Sequence, residues 1–416
     1  MSGPPHRGPL GAFTGWAGAT RRAVVTWWQV LLLGVLTVGS YGLAVYAFGV
    51  FIEPIHEDTG WSVGALSATF TLSVLAGGIG AAGSGWLLDR WGGRPVLLGA
   101  LVPGSLFLFV SSFAERLPVF IGCWAVGGGI IGAGLFYNVT MALTTRLYPS
   151  DRIRAFSILT FVGGFAAVLY FPLAGLLVDL VEWRVALRIL VVLLVAHVLP
   201  AALFVAGGAA PVATGDAPGG PQRDYSGVME ALRSREVLQM IAMFSFAAMA
   251  FSAIQVLHVP AITATGVSLG AATAVASIRG LLSLPGRALM GPVVSRLGVA
   301  GALGLVYVLM AAGTIPIAIG GQIGWLVVFT LVTGLAFGTI SPLHGLFAAD
   351  VYGERRIGTL MGVQSLIVSV ISATGPVLLG VTVDATGGYR LAILLTCVLF
   401  AVAAALLVVR PPARAR

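Results

Sequence analysis

The sequence predicts an all-α membrane protein of twelve transmembrane helices, arranged as two six-helix, pseudo-symmetric halves. Three observations carry that expectation. The 416 residues are 58% hydrophobic and 9% charged, with a mean hydropathy of +1.00, whereas soluble domains carry about 25% charged residues. Apolar runs reach the roughly 20 residues that cross a bilayer as a helix, for example at 30–52, 96–113 and 391–409. The two sides of the chain also repeat each other at an offset of 205–206 residues. Backbone in lipid must bond internally, which leaves helices or closed barrels, and the ten-residue alternation of barrel strands is missing.

The elements follow in order. A polar Pro/Gly-rich tail, 1–24, leads into the first apolar segment, 25–52, which is too long for a signal-peptide core. Segments 62–84, 95–114, 119–145, 155–178 and 188–206 complete a first half, 25–206. A linker, 207–236, opens on GGAAPVATGDAPGGPQ and continues into DYSGVMEALRSRE, which fits a short helix on the membrane surface. Segments 237–257, 269–294, 299–320, 324–346, 358–382 and 391–410 form the second half, 237–410, before a tail, 411–416.

The repeat is visible at three landmarks. TGWSVGAL (59–66) matches TGVSLGAA (265–272) at an offset of 206, and Gly85 and Arg90 match Gly291 and Arg296 at the same offset. VDLVEWRVAL (178–187) matches VDATGGYRLA (383–392) at 205. Parallel repeats of this kind place a substrate site between the halves, near the bilayer midplane.

Charge sets the orientation. All 23 basic residues are arginine. With both termini on one side, seventeen fall on that side, four (Arg116, Arg184, Arg188 and Arg390) fall opposite, and two, Arg279 and Arg287, fall within a span. Basic residues collect on the cytoplasmic side, so both termini are expected in the cytoplasm of a multi-pass protein of the cell (inner) membrane. The net charge of +8 then reflects topology and argues against a nucleic-acid partner. Cys123 and Cys397 both lie inside apolar segments, so no disulfide framework or metal spacing is present, and no cofactor is expected. Five scattered histidines supply no cluster for a membrane-embedded enzyme.

GWLLDRWGGR (Gly85 to Arg94) resembles the G-x-x-x-D-R-x-G-x-R signature between helices 2 and 3 of the major facilitator superfamily, and the resemblance extends over residues 25–410. It implies the MFS fold, alternating access by rocking of the halves, and a cytoplasmic gate formed by Gly85, Asp89, Arg90 and Arg94. The second copy has Ser295 where an aspartate is expected, so its latch is expected to be weaker. Two further stretches resemble the monocarboxylate transporter and oxalate–formate exchanger branch: YAFGVFIEPIHEDTGWS (46–62), and LHVPAI (257–262) followed by LPGRALMGPVVSR (284–296). That resemblance implies that Arg287 binds a substrate carboxylate and that His258 handles substrate or a proton. Departures are Tyr46 where animal members have a lysine, Ser283 where they have an aspartate, and Gln364 in helix 11 where an exchanger has a lysine. Without a lysine there, a singly charged anion is favoured.

The chemistry of the site is read from its charges. An arginine at mid-membrane costs about 2.5–3.5 kcal/mol on insertion scales, and its planar fork suits a carboxylate. Arg279 and Arg287, eight residues apart, lie some 80° apart around a helix of about 100° per residue, with Ser283 between them and Pro285-Gly286 expected to loosen the helix. Arg287 also suits a snorkelling role; for Arg279, binding, structural pairing and gating stand equal. The repeat partners of these arginines are Ser73 and Ala81, so the anion hook belongs to the second half alone. Tyr137 and Asn138 in helix 4, His344 in helix 10, and Tyr46 in helix 1 are further candidate contacts. No Asp or Glu lies mid-helix, which argues against antiport of cationic drugs. The expected function is secondary transport of a small organic anion, a monocarboxylate, with protons as the candidate coupling ion and a monomer as the functional unit. The alternative is export of a larger amphipathic or anionic compound.

Overall fold

The computed structural model describes residues 27–148, 151–205, 234–352 and 357–409. Both expected tails, linker residues 207–233 with most of the expected surface helix, and Arg355 and Arg356 lie outside the described residues. The first half contains α1 (Trp27–Thr59), α2 (Val63–Trp91), α3 (Gly93–Ser111), α4 (Leu117–Leu147), α5 (Arg154–Leu180) and α6 (Trp183–Val205). The second contains α7 (Arg235–Thr263), α8 (269–297), α9 (299–319), α10 (Ile323–Tyr352), α11 (Ile357–Thr386) and α12 (Tyr389–Val409). α8 and α9 are one run, Leu269–Ile319, divided at Gly298, where the backbone leaves the helical region (φ 70°, ψ 173°).

Helix ends follow capping rather than hydropathy. α1 continues past the expected residue 52, through Glu53, His56, Glu57 and Asp58, until left-handed Gly60 stops it. Ser62 and Ser268 accept from the amides of Ala65 and Ala271 and so start α2 and α8, satisfying amides that a helix start leaves free. Gly60 and Gly266 have φ of 71° and 89°, and Gly92 and Gly298 have φ of 79° and 70°. Both pairs are 206 residues apart, so the repeat is written into the backbone at the positions that require glycine.

Several helices are irregular along their length, α5 at Gly164 and α6 at its end among them. α1 is a π-helix over Gly42–Ala47. α4 breaks at Phe136, which is extended (φ −84°, ψ −176°), and α10 breaks between Phe337 and Ile340. The loosening expected at Pro285-Gly286 is not seen: α8 stays helical through both, because its interior is clamped to α10. A Cβ at Gly334 would stand 3.0 Å from the Arg279 carbonyl oxygen, and one at Gly286 or Gly338 would run into the backbone of Leu335 or Ser283.

The apolar core shows which end is closed. One cluster joins the first half to the far ends of α7, α8, α11 and α12 through residues such as Ile254, Ala276, Val383 and Ile393. A second cluster, including Met240, Phe244, Tyr307, Leu343 and Phe400, belongs to the terminus-bearing end of the second half alone. Hydrogen bonds between the halves lie on the far side: Val63 and Gly64 amides donate to the Asp384 carboxylate at 2.9 and 2.8 Å, Tyr389 to Glu53 at 3.0 Å, and Ser277 to the Val168 carbonyl at 2.7 Å. The bundle is therefore sealed opposite the termini and open on their side.

Candidate binding site

The interface between the halves brings the two arginines of α8 toward the aromatic residues of α1 and α4. Tyr46 lies within electrostatic reach of both Arg279 and Arg287, and Tyr137 within reach of Arg287. The Tyr41 ring stacks on Phe136 at 4.0 Å and tilts against Tyr137 at 5.1 Å. These rings sit here because α1 is wound as a π-helix and α4 is broken, irregularities that recur at functional sites. Asn138 is exposed and donates to the Ala133 carbonyl at 2.7 Å, filling the gap left by the break. A cavity of about 290 Å³ runs between Tyr41, Phe136, Asn138 and Ser73 of the first half and Ser369 of α11.

Arg287 is exposed. Its Nε donates to the Gly338 carbonyl at 3.2 Å, a carbonyl freed by the break in α10. A helix C-terminus carries partial negative charge, so the break orients the guanidinium while leaving its outer amines to a ligand. α8 extends to residue 297, which puts Arg287 ten residues from that end rather than the seven expected. At about 1.5 Å per residue this is about 15 Å.

Arg279 is 2% exposed. Its Nε donates to Thr333 at 3.1 Å and Nη1 to Gln255 at 3.0 Å. Its Cζ lies 4.6 Å from the Phe337 ring centre and 5.7 Å from that of Phe329. Desolvated cation–π contacts contribute about 2 kcal/mol, comparable to the insertion cost. Nη2 has no partner among the described residues. His258 is beside it, fully buried, edge-on to Phe171 at 5.2 Å. Its Nδ1 is 2.6 Å from the Ile254 carbonyl, which can only accept, so in the neutral ring Nε2 is a bare acceptor; it too has no partner. Among the described residues neither arginine meets a carboxylate.

Other sequence-predicted residues fall elsewhere. His344 is stacked on Phe244 at 3.9 Å and bonded to Tyr307 at 2.6 Å, inside the second half's own core. Gln364 accepts from Tyr352. In the candidate gate, Asp89 pairs with Arg146 of α4, not with its neighbours in the signature. Arg90 lies over Trp86 at 5.4 Å, Arg94 donates to the Leu203 carbonyl at 3.4 Å, and Gly85 borders open space. All of these contacts stay within the first half. Gln255, Thr333 and Arg146 went unrecognised in the sequence. Gln255 alone left a signal, an amide within an otherwise apolar stretch of α7.

Two six-helix halves closed at one end, with Arg287 and aromatic rings facing the gap, define a membrane transporter. The chain belongs to the Major Facilitator Superfamily, whose sequence pattern matches residues 34–319 and 246–416. It is 25% identical over 407 residues to monocarboxylate transporter 11 of Homo sapiens, covering 94% of this chain and 82% of that one. It is also 25% identical over 126 residues to the oxalate:formate antiporter of Oxalobacter formigenes, covering 30% and 29%. The fold matches the crystal structure of the nucleoside transporter NupG with a TM-score of 0.77 at 14% identity, over 92% of this chain and 98% of that one.

Proposed function

We propose that the protein carries a small organic anion, a monocarboxylate, across the cell membrane by rocking its halves about the central site, with both termini cytoplasmic. The exposed Arg287 guanidinium in the gap, without a carboxylate partner among the described residues, carries this reading. A carboxylate would take the amines that Gly338 leaves free, while the Tyr46 and Tyr137 hydroxyls and Asn138 would contact the rest of the molecule. Monocarboxylate and oxalate–formate carriers among its relatives support the same cargo class. His258, with its bare Nε2, is the residue proposed to take up a proton travelling with the anion; Asp89 and Arg146, with Arg90 and Arg94, would form the cytoplasmic gate.

The test is uptake of radiolabelled acetate, L-lactate and benzoate into liposomes. Uptake of at least one is expected, faster under an inward proton gradient, and Arg287→Gln should reduce it at least about tenfold, the loss of a charge-assisted hydrogen bond. Unchanged uptake by that variant would remove Arg287 from the site. Resistance of expressing cells to larger amphipathic acids, with no uptake of the three probes, would favour export instead.

A further inference from the structure

We infer that Arg279 is a second anion station on α8, serving the outward-open state as Arg287 serves the state seen here. The inference rests on the proposed organic-anion cargo and adds the path that the anion takes. α8 runs from 269 to 297, and Arg279 and Arg287 stand ten residues from either end, one turn to each side of Ser283. Their surroundings are opposite. Arg287 is exposed on the side that is open, whereas Arg279 is sealed on the side that is closed.

The seal grips the same turn of α8, on its α5 face, while the Arg279 side chain points around the helix to α7 and α10. Ser277, two residues before it, donates to the Val168 carbonyl of α5, and Gly280, one residue after it, packs on Ala167. Parting α5 from α8, as opening of that end requires, uncovers this turn. Gln255, Thr333 and two phenylalanine rings already hold the guanidinium in place, so exposure would present Nη2 without reorganisation. A purely structural arginine has no use for that orphan: an unsatisfied buried donor costs about 1–3 kcal/mol. One carboxylate oxygen arriving from the far side would satisfy it. Rocking back would cover Arg279 and uncover Arg287 about 12 Å further along the helix.

The experiment measures sidedness. In right-side-out and inside-out membrane vesicles, exchange of acetate, L-lactate and benzoate is followed in wild type, Arg279→Gln and Arg279→Lys. Arg279→Gln should raise the half-saturation concentration about tenfold or more on the outer side and less than about twofold on the inner side, with partial recovery in Arg279→Lys; Arg287→Gln should show the reverse. Equal effects on both sides would overturn the second station. A second arm places a single cysteine at Ser277, with Cys123 and Cys397 replaced by serine, and applies an impermeant thiol reagent from either side. Labelling from outside supports the assignment; labelling from inside alone, or none, overturns it. If wild type exchanges none of the three acids, the cargo reading fails, and this labelling still decides whether the turn holding Arg279 opens outward.

Discussion

At the residue scale, the difference between the two arginines is one of partners rather than charge. Arg287 uses one hydrogen-bond donor on a carbonyl freed by a helix break; Arg279 uses two donors and two aromatic faces. Gln255 is therefore the residue that sets Arg279 in position. Gln255→Leu should lower thermal stability, since a buried donor loses its acceptor at a cost of about 1–3 kcal/mol. Gln255→Glu should keep the fold but supply an internal carboxylate that competes with the substrate's, so half-saturation should rise with little loss of stability. A competition assay against acetate separates the two outcomes. Both arginines were legible from composition, because a charge in an apolar stretch is conspicuous. Gln255 and Thr333 were not, since their role depends on which face of α7 and α10 meets α8.

At the scale of elements, the site depends on helices that are interrupted where they border the gap. The break in α10 frees the Gly338 carbonyl for Arg287, and the break in α4 leaves Asn138 bonded to the Ala133 carbonyl with Tyr137 against Tyr41. Glycines at 286, 334 and 338 let α8 and α10 touch backbone to backbone. Gly338→Ala should push α8 away, with an overpacking cost of about 1–3 kcal/mol; a reduced melting temperature together with weakened anion binding would show it. Gly291→Ala, bordered by open space, is the control and should change neither. Glycine content was plain in the sequence. Which glycine sits at a close approach is a matter of helix rotation, and Pro285-Gly286, read there as a weak point, is instead part of the clamp.

At the scale of the whole molecule, bonds between the halves among the described residues lie on one face. Asp384, at the end of α11, accepts from two amides at the start of α2, joining the halves where a helix N-terminus favours negative charge. Its repeat partner Asp179 lies beside the start of α8, near Gly270. Asp384→Ala should shift the population toward a state open at this end, as loss of contacts made in only one state must. Spin labels at Thr59→Cys and Thr386→Cys should then report longer, broader distances, while an unchanged distribution would show that the apolar layer alone closes this end.

The sequence by itself determined the twelve-helix architecture, the repeat and the presence of two cations within the membrane, because hydropathy, glycine spacing and charge counts are local quantities. Gly85 and Gly291, like Arg90 and Arg296, are 206 residues apart, and that equivalence needed no contacts to be seen. Only the tertiary structure decided that Asp89 pairs with Arg146, that His344 belongs to a packed core, and that Arg279 is sealed while Arg287 is open. Those facts depend on helix rotation and on which end of the bundle is shut. Both are fixed by packing between segments far apart in the chain, where no local pattern records them.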